Sequence, residues 1–486
     1  MHVSHSHLTA IFVFPIVIFS KVYLRIRMFF YMVHLRFERG TILLKGEVGT
    51  PYGKWDPRIG CYRSKGMHYQ AILDYLDESG IPYEDDVKRL PPLETLRSKV
   101  VLRSYQKTAL SKWNRANGRG ILVLPTAAGK TYIALEAINL LKTQCMIVAP
   151  TLDLVDQWKR RVAECLGVEA GIVRGGESNV RMITVSTYDS AYLQADLLGN
   201  KFMLIIFDEV HHLASPSYMQ IAEAYVAPYR MGLTATYERI DERHKLLPQL
   251  VGDQVYSVEV DELAGEHLSP YVYEKVYVDL APDDKRLYDS EMAVFRNYLK
   301  EKRITLRNPR DFQRFIMITG RDQRAREALL SRNRALKLAL NSEKKLNLLA
   351  EQFNEHTNNK AIVFTLHNDL VYLISRRFLI PAITHQTPKD ERKEILDKFR
   401  SGQYKTIVTS QVLDEGIDVP DASLGYIVSG TGSTREYIQR LGRLLRKIEG
   451  KQARLVEIVS RETVEVGISR RRTQEKKTEK ASNANR

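Results

Sequence analysis

Residues 120–141, GILVLPTAAGKTYIALEAINLL, restrict the fold of this chain more than any other stretch. Ile121 to Leu124 is a short apolar run suited to a buried strand, and Pro125 to Gly129 is a tight turn of small residues. From Lys130 onward, Ile133, Ala137, Leu140 and Leu141 recur at helical spacing, so a helix packs back on the strand. A strand, a turn and a helix that open on Gly-Lys-Thr make a phosphate cradle. The backbone N–H groups of Thr126, Ala127, Ala128 and Gly129 and the positive helix end would face the anion. Lys130 would reach the terminal phosphates, and the Thr131 hydroxyl would hold Mg²⁺. The general pattern has glycine where Leu124 stands, and many chains have it where Ala127 stands. An ordinary strand–turn–helix with an exposed lysine would read the same way locally, so the other motifs decide.

Alternating strands and helices surround this stretch. Strands are expected at Cys145–Ala149, Met182–Ser186 and Phe202–Phe207, which implies a parallel sheet covered on both faces. The last runs straight into Asp208-Glu209-Val210-His211-His212. Acidic residues at the carboxyl end of a buried strand lie at the sheet edge that binds ligands. Asp208 would hold Mg²⁺ through water, and Glu209 would orient or deprotonate an attacking water. Upstream, Leu102-Arg103-Ser104-Tyr105-Gln106 precedes the phosphate loop. Gln106 carries a donor and an acceptor and can read an adenine edge, and Arg103 is assigned to the same nucleotide. Downstream, Gly232-Leu233-Thr234-Ala235-Thr236 offers small hydroxyl residues that could sense the nucleotide.

The 486 residues allow two to four domains, and 44% hydrophobic content can bury substantial cores. A net charge of +15 points to a polyanion partner. Three scattered cysteines (Cys61, Cys145 and Cys165) suit a reducing compartment better than a disulfide framework or a zinc site. Leu8 to Phe19 is an apolar run broken by Pro15, too short to span a bilayer, so no membrane association is expected. The natural start is expected at Met28 or Met32, leaving residues 1–31 outside the fold.

Val33, Leu35 and Phe37 alternate with polar residues and turn at Glu38-Arg39-Gly40 into Thr41–Lys45, a hairpin signature. A short helix is expected at His68–Leu76. Lys54, Trp55, Arg58, Tyr62, Arg63 and Lys65 mix cations with aromatics, either as a nucleic-acid surface or as a solvated face around a core tryptophan. Between Lys285 and Lys345, 17 Lys and Arg residues stand against 7 Asp and Glu residues in a helical pattern. Phosphate contact is the natural use of such density. A second α/β unit begins near Lys360, with strands at Ala361–Thr365 and Thr406–Ser410 and a helix at Lys389–Arg400. Then follow Leu413-Asp414-Glu415-Gly416-Ile417-Asp418-Val419-Pro420 and Gln439-Arg440-Leu441-Gly442-Arg443-Leu444-Leu445-Arg446. On a helix, Gln439, Arg443 and Arg446 share one face and could grip a γ-phosphate. An arginine supplied in this way is worth about 10³–10⁵ in rate.

In this order, Tyr105-Gln106, TAAGKT at 126–131, APTLDLVDQW at 149–158, DEVHH at 208–212, LTAT at 233–236, DEGIDVP at 414–420 and QRLGRLLR at 439–446 resemble a superfamily 2 helicase, most closely the XPB family in its short archaeal form. The resemblance implies an α/β protein with two RecA-like parallel-sheet motor domains, a small N-terminal α+β domain and a basic helical insert. The expected boundaries are 32–92 for a damage-recognition-like domain and 93–257 for the first motor domain. A connector and thumb-like insert at 258–345, a second motor domain at 346–468 and a disordered basic tail from Ser469 complete the chain. It implies that Gly416, Asp418 and Gln439 line the nucleotide cleft and that Arg443 and Arg446 join Lys130, Asp208 and Glu209 in catalysis. The family's Arg-Glu-Asp element would fall at Arg239-Ile240-Asp241, without the glutamate.

Taken together, these readings imply an ATP- and Mg²⁺-dependent DNA helicase, 3′ to 5′ by resemblance, acting in nucleotide excision repair at single-strand/duplex junctions. A double-strand translocase or local melting switch is the second reading, and a DNA-binding scaffold with a dead ATPase the third. The resemblance further suggests a nuclease partner. The expected location is cytoplasmic and nucleoid-associated in a prokaryote, or nuclear in a eukaryote.

Overall fold

The computed structural model describes residues 32–46, 49–239, 241–307, 309–410, 422–430 and 452–471. The chain separates into two compact units. The first takes the described residues through Leu122 together with Thr131–Thr234 and Arg243–Tyr256. The second takes Val123–Lys130, Ala235–Glu242 and the described residues from Ser257.

In the first unit, β1 (Val33–Glu38), β2 (Thr41–Lys45), β3 (Lys54–Asp56), β4 (Cys61–Lys65) and β5 (Tyr83–Asp86) form a mixed sheet in the order β3-β4-β2-β1-β5. The β1–β2 turn places both Arg39 and Gly40 at positive φ, the twist that a two-residue hairpin needs. Helix Tyr69–Glu78 lays Tyr69, Ile72 and Leu76 on Val33, Leu35, Ile42 and Leu44, and Val226, from the segment leading into Tyr229–Thr234, completes this core. Trp55 is 54% exposed and meets Tyr62 edge-on, so the core-tryptophan alternative is excluded. The buried tryptophans are Trp113 and Trp158.

The larger sheet contains β6 (Arg119–Val123), β7 (Cys145–Ala149), β8 (Gly171–Arg174), β9 (Glu177–Asn179), β10 (Ile183–Thr187), β11 (Leu204–Asp208), β12 (Tyr229–Thr234) and β13 (Gln254–Ser257). Its order is β13-β6-β12-β11-β7-β10-β8-β9. The pairs β12–β11, β11–β7, β7–β10 and β10–β8 are parallel. Every residue of β7, β10 and β11 is buried, as expected of strands covered on both faces. Arg230 on β12 is fully buried, and its guanidinium donates to the carbonyls of Ala222, Tyr225, Ala227 and Leu250. Burial pulls its pKa down to about 9, which still leaves it charged at neutral pH. The cation thereby pins the Ala222–Ala227 segment, against which the small sheet packs. A Cβ on Gly66 would lie 2.1 Å from the Ala224 carbonyl oxygen, so the two surfaces meet backbone to backbone there.

In the second unit, β14 (Tyr271–Val278), β15 (Ala361–Phe364), β16 (Ala382–Ile383), β17 (Thr406–Thr409), β18 (Leu424–Ile427) and β19 (Ala453–Ser460) form a sheet in the order β14-β19-β18-β15-β17-β16, parallel at every pairing. Residues 271–278, assigned above to the connector, are therefore the edge strand of the second motor sheet. The basic insert enters after this strand. Helices Pro282–Glu301, Pro309–Thr319 and Gln323–Leu340 have their own core of Tyr288, Met292, Phe295, Tyr298 and Phe315. Ala325, Ala328, Ser331, Ala335 and Ala339 keep one face of the last helix small, which lets those large rings approach. Residues 464–471 are helical, with Ser469 buried, so the stretch expected to be a tail from Ser469 is ordered helix through 471.

Candidate nucleotide and acid site

The loop between β6 and helix Lys130–Leu141 curves through Ala127 at φ 68° and Gly129 at φ 74°, and Ala128 N–H donates to the Pro125 carbonyl at 3.2 Å. Alternating backbone of this kind turns successive N–H groups toward one concavity, an anion nest. Ala127 takes a left-handed conformation that glycine would adopt without strain, which explains the glycine usual at this position. The Lys130 ammonium folds onto its own loop, 3.0 Å from the Leu124 carbonyl and 3.3 Å from that of Pro125. A phosphate is a stronger partner for an ammonium than two neutral carbonyls, so the lysine is held beside the cradle in a form that an anion can displace. The donors of this loop fit a polyphosphate.

The acids are placed by β11, whose apolar run Leu204–Phe207 is wholly buried and delivers Asp208 at its carboxyl end. Asp208 is 9% exposed. Its Oδ2 accepts from the Trp158 indole N–H at 2.8 Å, its Oδ1 from the Glu209 N–H at 3.1 Å, and its backbone carbonyl from the Tyr188 hydroxyl at 3.0 Å. Burial, then the neighbouring Asp208 and Glu209 charges, push the Tyr188 phenol well above its ordinary pKa, so it stays a donor. Trp158 is carried by helix Leu152–Leu166. Thr151 caps that helix by accepting from Leu154 N–H at 3.3 Å, and Val155, Trp158, Val162 and Leu166 form its buried face. The APTLDLVDQW motif thus reads as cap, helix start and one indole aimed at the acid.

Glu209 sits at φ 48°, ψ 57°, a left-handed conformation that an ordinary side chain adopts at a cost of order 1–3 kcal/mol. Its Oε2 accepts from Thr234 Oγ1 at 3.4 Å, and Thr234 Oγ1 lies 3.2 Å from Nδ1 of the buried His211. His211 Nδ1 is also 3.5 Å from Glu209 Oε2. The end of β11 and the end of β12 are therefore joined through side chains. Gln106 is 4% exposed, and its Oε1 accepts from Arg103 N–H at 2.9 Å, capping helix Ser104–Arg115. Arg239 and Asp241 pair with each other at 2.9 and 2.7 Å across position 240. Gly416, Asp418, Gln439, Arg443 and Arg446 lie outside the described residues. Sequence reasoning gave no role to Trp158 or Tyr188; the helical spacing of Val155, Trp158 and Val162 is the signal that could have found the first.

A lysine-bearing phosphate loop, an acid pair ending a buried central strand, and a second sheet that is parallel at every pairing define an ATP-binding motor of the helicase class. Comparison with known proteins agrees. Residues 99–239 match the family model for the type III restriction enzyme res subunit, and 344–447 the helicase conserved C-terminal domain. Residues 35–87 match the xeroderma pigmentosum group B helicase damage recognition domain. A protein of Sulfurisphaera tokodaii named DNA 3′-5′ translocase XPB2 is 45% identical over 441 residues, covering 91% of this chain and 100% of that one. The DNA 3′-5′ helicase XPB of Mycobacterium tuberculosis is 27% identical, covering 75% of this chain and 61% of its own. The Saccharomyces cerevisiae general transcription and DNA repair factor IIH helicase/translocase subunit XPB/SSL2 is 29% identical over 79% of this chain and 44% of its own. The fold is similar to that of the Pyrococcus furiosus Hef helicase domain, with a TM-score of 0.53 at 21% identity over 75% of this chain and 97% of that one. The chain belongs to the XPB family of superfamily 2 helicases. Among the described residues, no helix is long and apolar enough to cross a membrane.

Proposed function

We propose that this chain hydrolyses ATP to move 3′ to 5′ along DNA and separate its strands at junctions, in nucleotide excision repair. The carrying observation is the Glu209–Thr234–His211 cluster, which links a carboxylate suited to orienting water with the end of the adjacent strand. Lys130 neutralises the terminal phosphates, and Glu209 orients the attacking water. Thr131 and Asp208 would hold Mg²⁺, which supplies charge neutralisation on the phosphate oxygens. Arg103 and Gln106 lie next to the nucleotide base in this reading, with Gly416, Asp418, Gln439, Arg443 and Arg446 contributed by the second motor domain.

We read residues 32–92 as the damage-recognition-like domain and 93–257 as the first motor domain. The second motor sheet begins at Tyr271, and the insert at Pro282. A nuclease companion belongs to this reading on family resemblance, and copurification with the full chain tests it. The protein would work wherever the cell keeps its DNA, in the nucleoid or the nucleus.

A translocase that melts DNA only locally is the second reading. It is favoured by the name of the 45% identical relative and by the absence, between Arg239 and Asp241, of the glutamate in the Arg-Glu-Asp element that the family resemblance links to strand separation. Strand displacement on a forked duplex, run beside triplex displacement, separates the two. Activity in both assays supports the helicase, and triplex displacement alone supports the translocase. Glu209→Gln should lower turnover by about 10²-fold or more with ATP still bound, since it removes general-base assistance. Turnover within twofold of wild type would remove Glu209 from the mechanism.

A further inference from the structure

The second motor sheet ends at β16, whose outer edge has no neighbouring strand among the described residues. Beside it lies an open groove of about 830 Å³, bordered by helix Asn368–Phe378 on one side and helix Lys389–Ser401 on the other. Tyr372, Ile380, Pro381, Ile395 and Tyr404 give it an apolar lining. At its lip stands Leu379, 89% exposed, the most exposed large apolar side chain among the described residues. Leu379 is also held at φ 53°, ψ 41°, in the left-handed turn that ends helix Asn368–Phe378. Glycine usually takes that position, because a Cβ there is strained. Of the non-glycine residues at positive φ among the described residues, Leu379 alone carries a large apolar side chain. Backbone strain and an apolar side chain in water thus fall on one residue beside a groove, which marks a contact surface.

The groove's own chemistry selects what fills it. β16 is two residues long, so a peptide added along its edge as a further strand would gain few backbone hydrogen bonds. The charged lining is one guanidinium, Arg376, and two carboxylates, Glu391 and Glu394, which disfavours a polyanion. Glu394 pairs with Lys398 at 2.6 Å, and the neighbouring Arg377 is held by Glu343 and Asn347. The side chains of Arg376 and Glu391 make no hydrogen bond or ion pair among the described residues. They stand on opposite walls, Arg376 on the first helix and Glu391 on the second. A two-fold axis running along the groove sets each wall of one copy against the opposite wall of the other. Arg376 then faces the second copy's Glu391, and Glu391 its Arg376, while each Leu379 rests over the Ile395 side of the other groove. The surface is its own complement in charge and in shape.

We propose that two copies of this chain pair through this groove, with Leu379 as the knob and two reciprocal Arg376–Glu391 ion pairs across the axis. Two helices and one short strand offer less than the roughly 20–30 residues a side of a standard interface, so the pair is weak and reversible. Charges at the rim fix the register, and the leucine supplies the affinity. The inference is independent of the motor reading above, because the pairing needs neither ATP nor DNA.

Sedimentation velocity of the full chain without nucleotide or DNA, from about 5 to 200 µM, tests it over the range of a weak interface. Wild type should pass from monomer to dimer across that range. Leu379→Gly removes the knob and suits the left-handed turn, so it should melt close to wild type and pair at least about tenfold more weakly. Arg376→Glu and Glu391→Arg should each weaken pairing about tenfold by setting like charges together, and the two combined should restore it to within about threefold of wild type. A monomer at every concentration overturns the proposal. A dimer unchanged by Leu379→Gly overturns it too, because the contact then lies elsewhere. Failure of the double reversal to restore pairing shows that the two walls do not face each other, and equally overturns it. A monomeric wild type that holds a copurifying protein lost in Leu379→Gly assigns the groove to another partner and overturns it as well.

Discussion

Trp158 shows how a residue away from the reacting atoms can set the site. Its indole N–H holds Asp208 Oδ2 at 2.8 Å while Glu209 N–H holds Oδ1, so the carboxylate is fixed in rotation before any ligand arrives. Trp158→Phe keeps an aromatic ring in the buried face and removes only the donor. A hydrogen bond to a charged group contributes about 1.5–3 kcal/mol, so turnover should fall about tenfold or more, with a higher Mg²⁺ requirement. Steady-state kinetics against Mg²⁺ concentration check this. An unchanged Mg²⁺ dependence would reduce Trp158 to a packing role. At this scale the sequence placed Asp208 and Glu209 at the end of a short apolar strand and Lys130 at the start of a helix after a tight turn, where the structure has them. It did not reveal Tyr188, whose hydroxyl reaches the Asp208 carbonyl from 20 positions away. Nor did it reveal that the Gln106 amide oxygen serves as a helix cap, because a capping partner depends on side-chain direction.

Elements were legible where burial was complete. Cys145–Ala149 was expected as a strand and is one, residue for residue, and the phosphate-loop helix spans Lys130–Leu141 as its apolar spacing indicated. Tyr271–Val278 escaped because an edge strand is only half covered, and Val272 and Tyr277 remain exposed. The joints between elements were not legible either. Lys345, near the start of helix Glu343–Glu355, lies buried with its ammonium 2.7 Å from the Val428 carbonyl and 2.7 Å from Glu465. Glu465 also accepts from Ser460 N–H at 2.8 Å, tying β18, β19 and the helix together. Lys345→Met leaves a buried carboxylate without its cation and should destabilise the fold by about 3–5 kcal/mol. Adding Glu465→Leu should recover much of that loss. Thermal denaturation of the single and double variants measures both, and a single variant as stable as wild type would show that Glu465 finds solvent.

For the whole molecule, the order of motifs carried more information than any one of them. Two largely parallel sheets, one carrying a phosphate loop after its first strand and one interrupted by a basic helical insert, are the architecture that this order implied. The small N-terminal sheet was legible as a hairpin and a helix. Its seat was not, because the contact is made by backbone at Gly66 and Ala224 rather than by a patterned apolar face. The basic excess also belongs to this scale. The insert is sheathed in cations that its own carboxylates only partly balance, so DNA affinity should depend on salt through released counterions. The central claim is that phosphate held by Lys130 drives work on DNA. ATP turnover by wild type and Lys130→Ala, each without polynucleotide and with single strands, duplex or RNA, tests it most directly. The account predicts wild-type turnover stimulated by DNA, no such turnover in Lys130→Ala, and DNA binding largely retained by the variant. Equal turnover in the two proteins would contradict it.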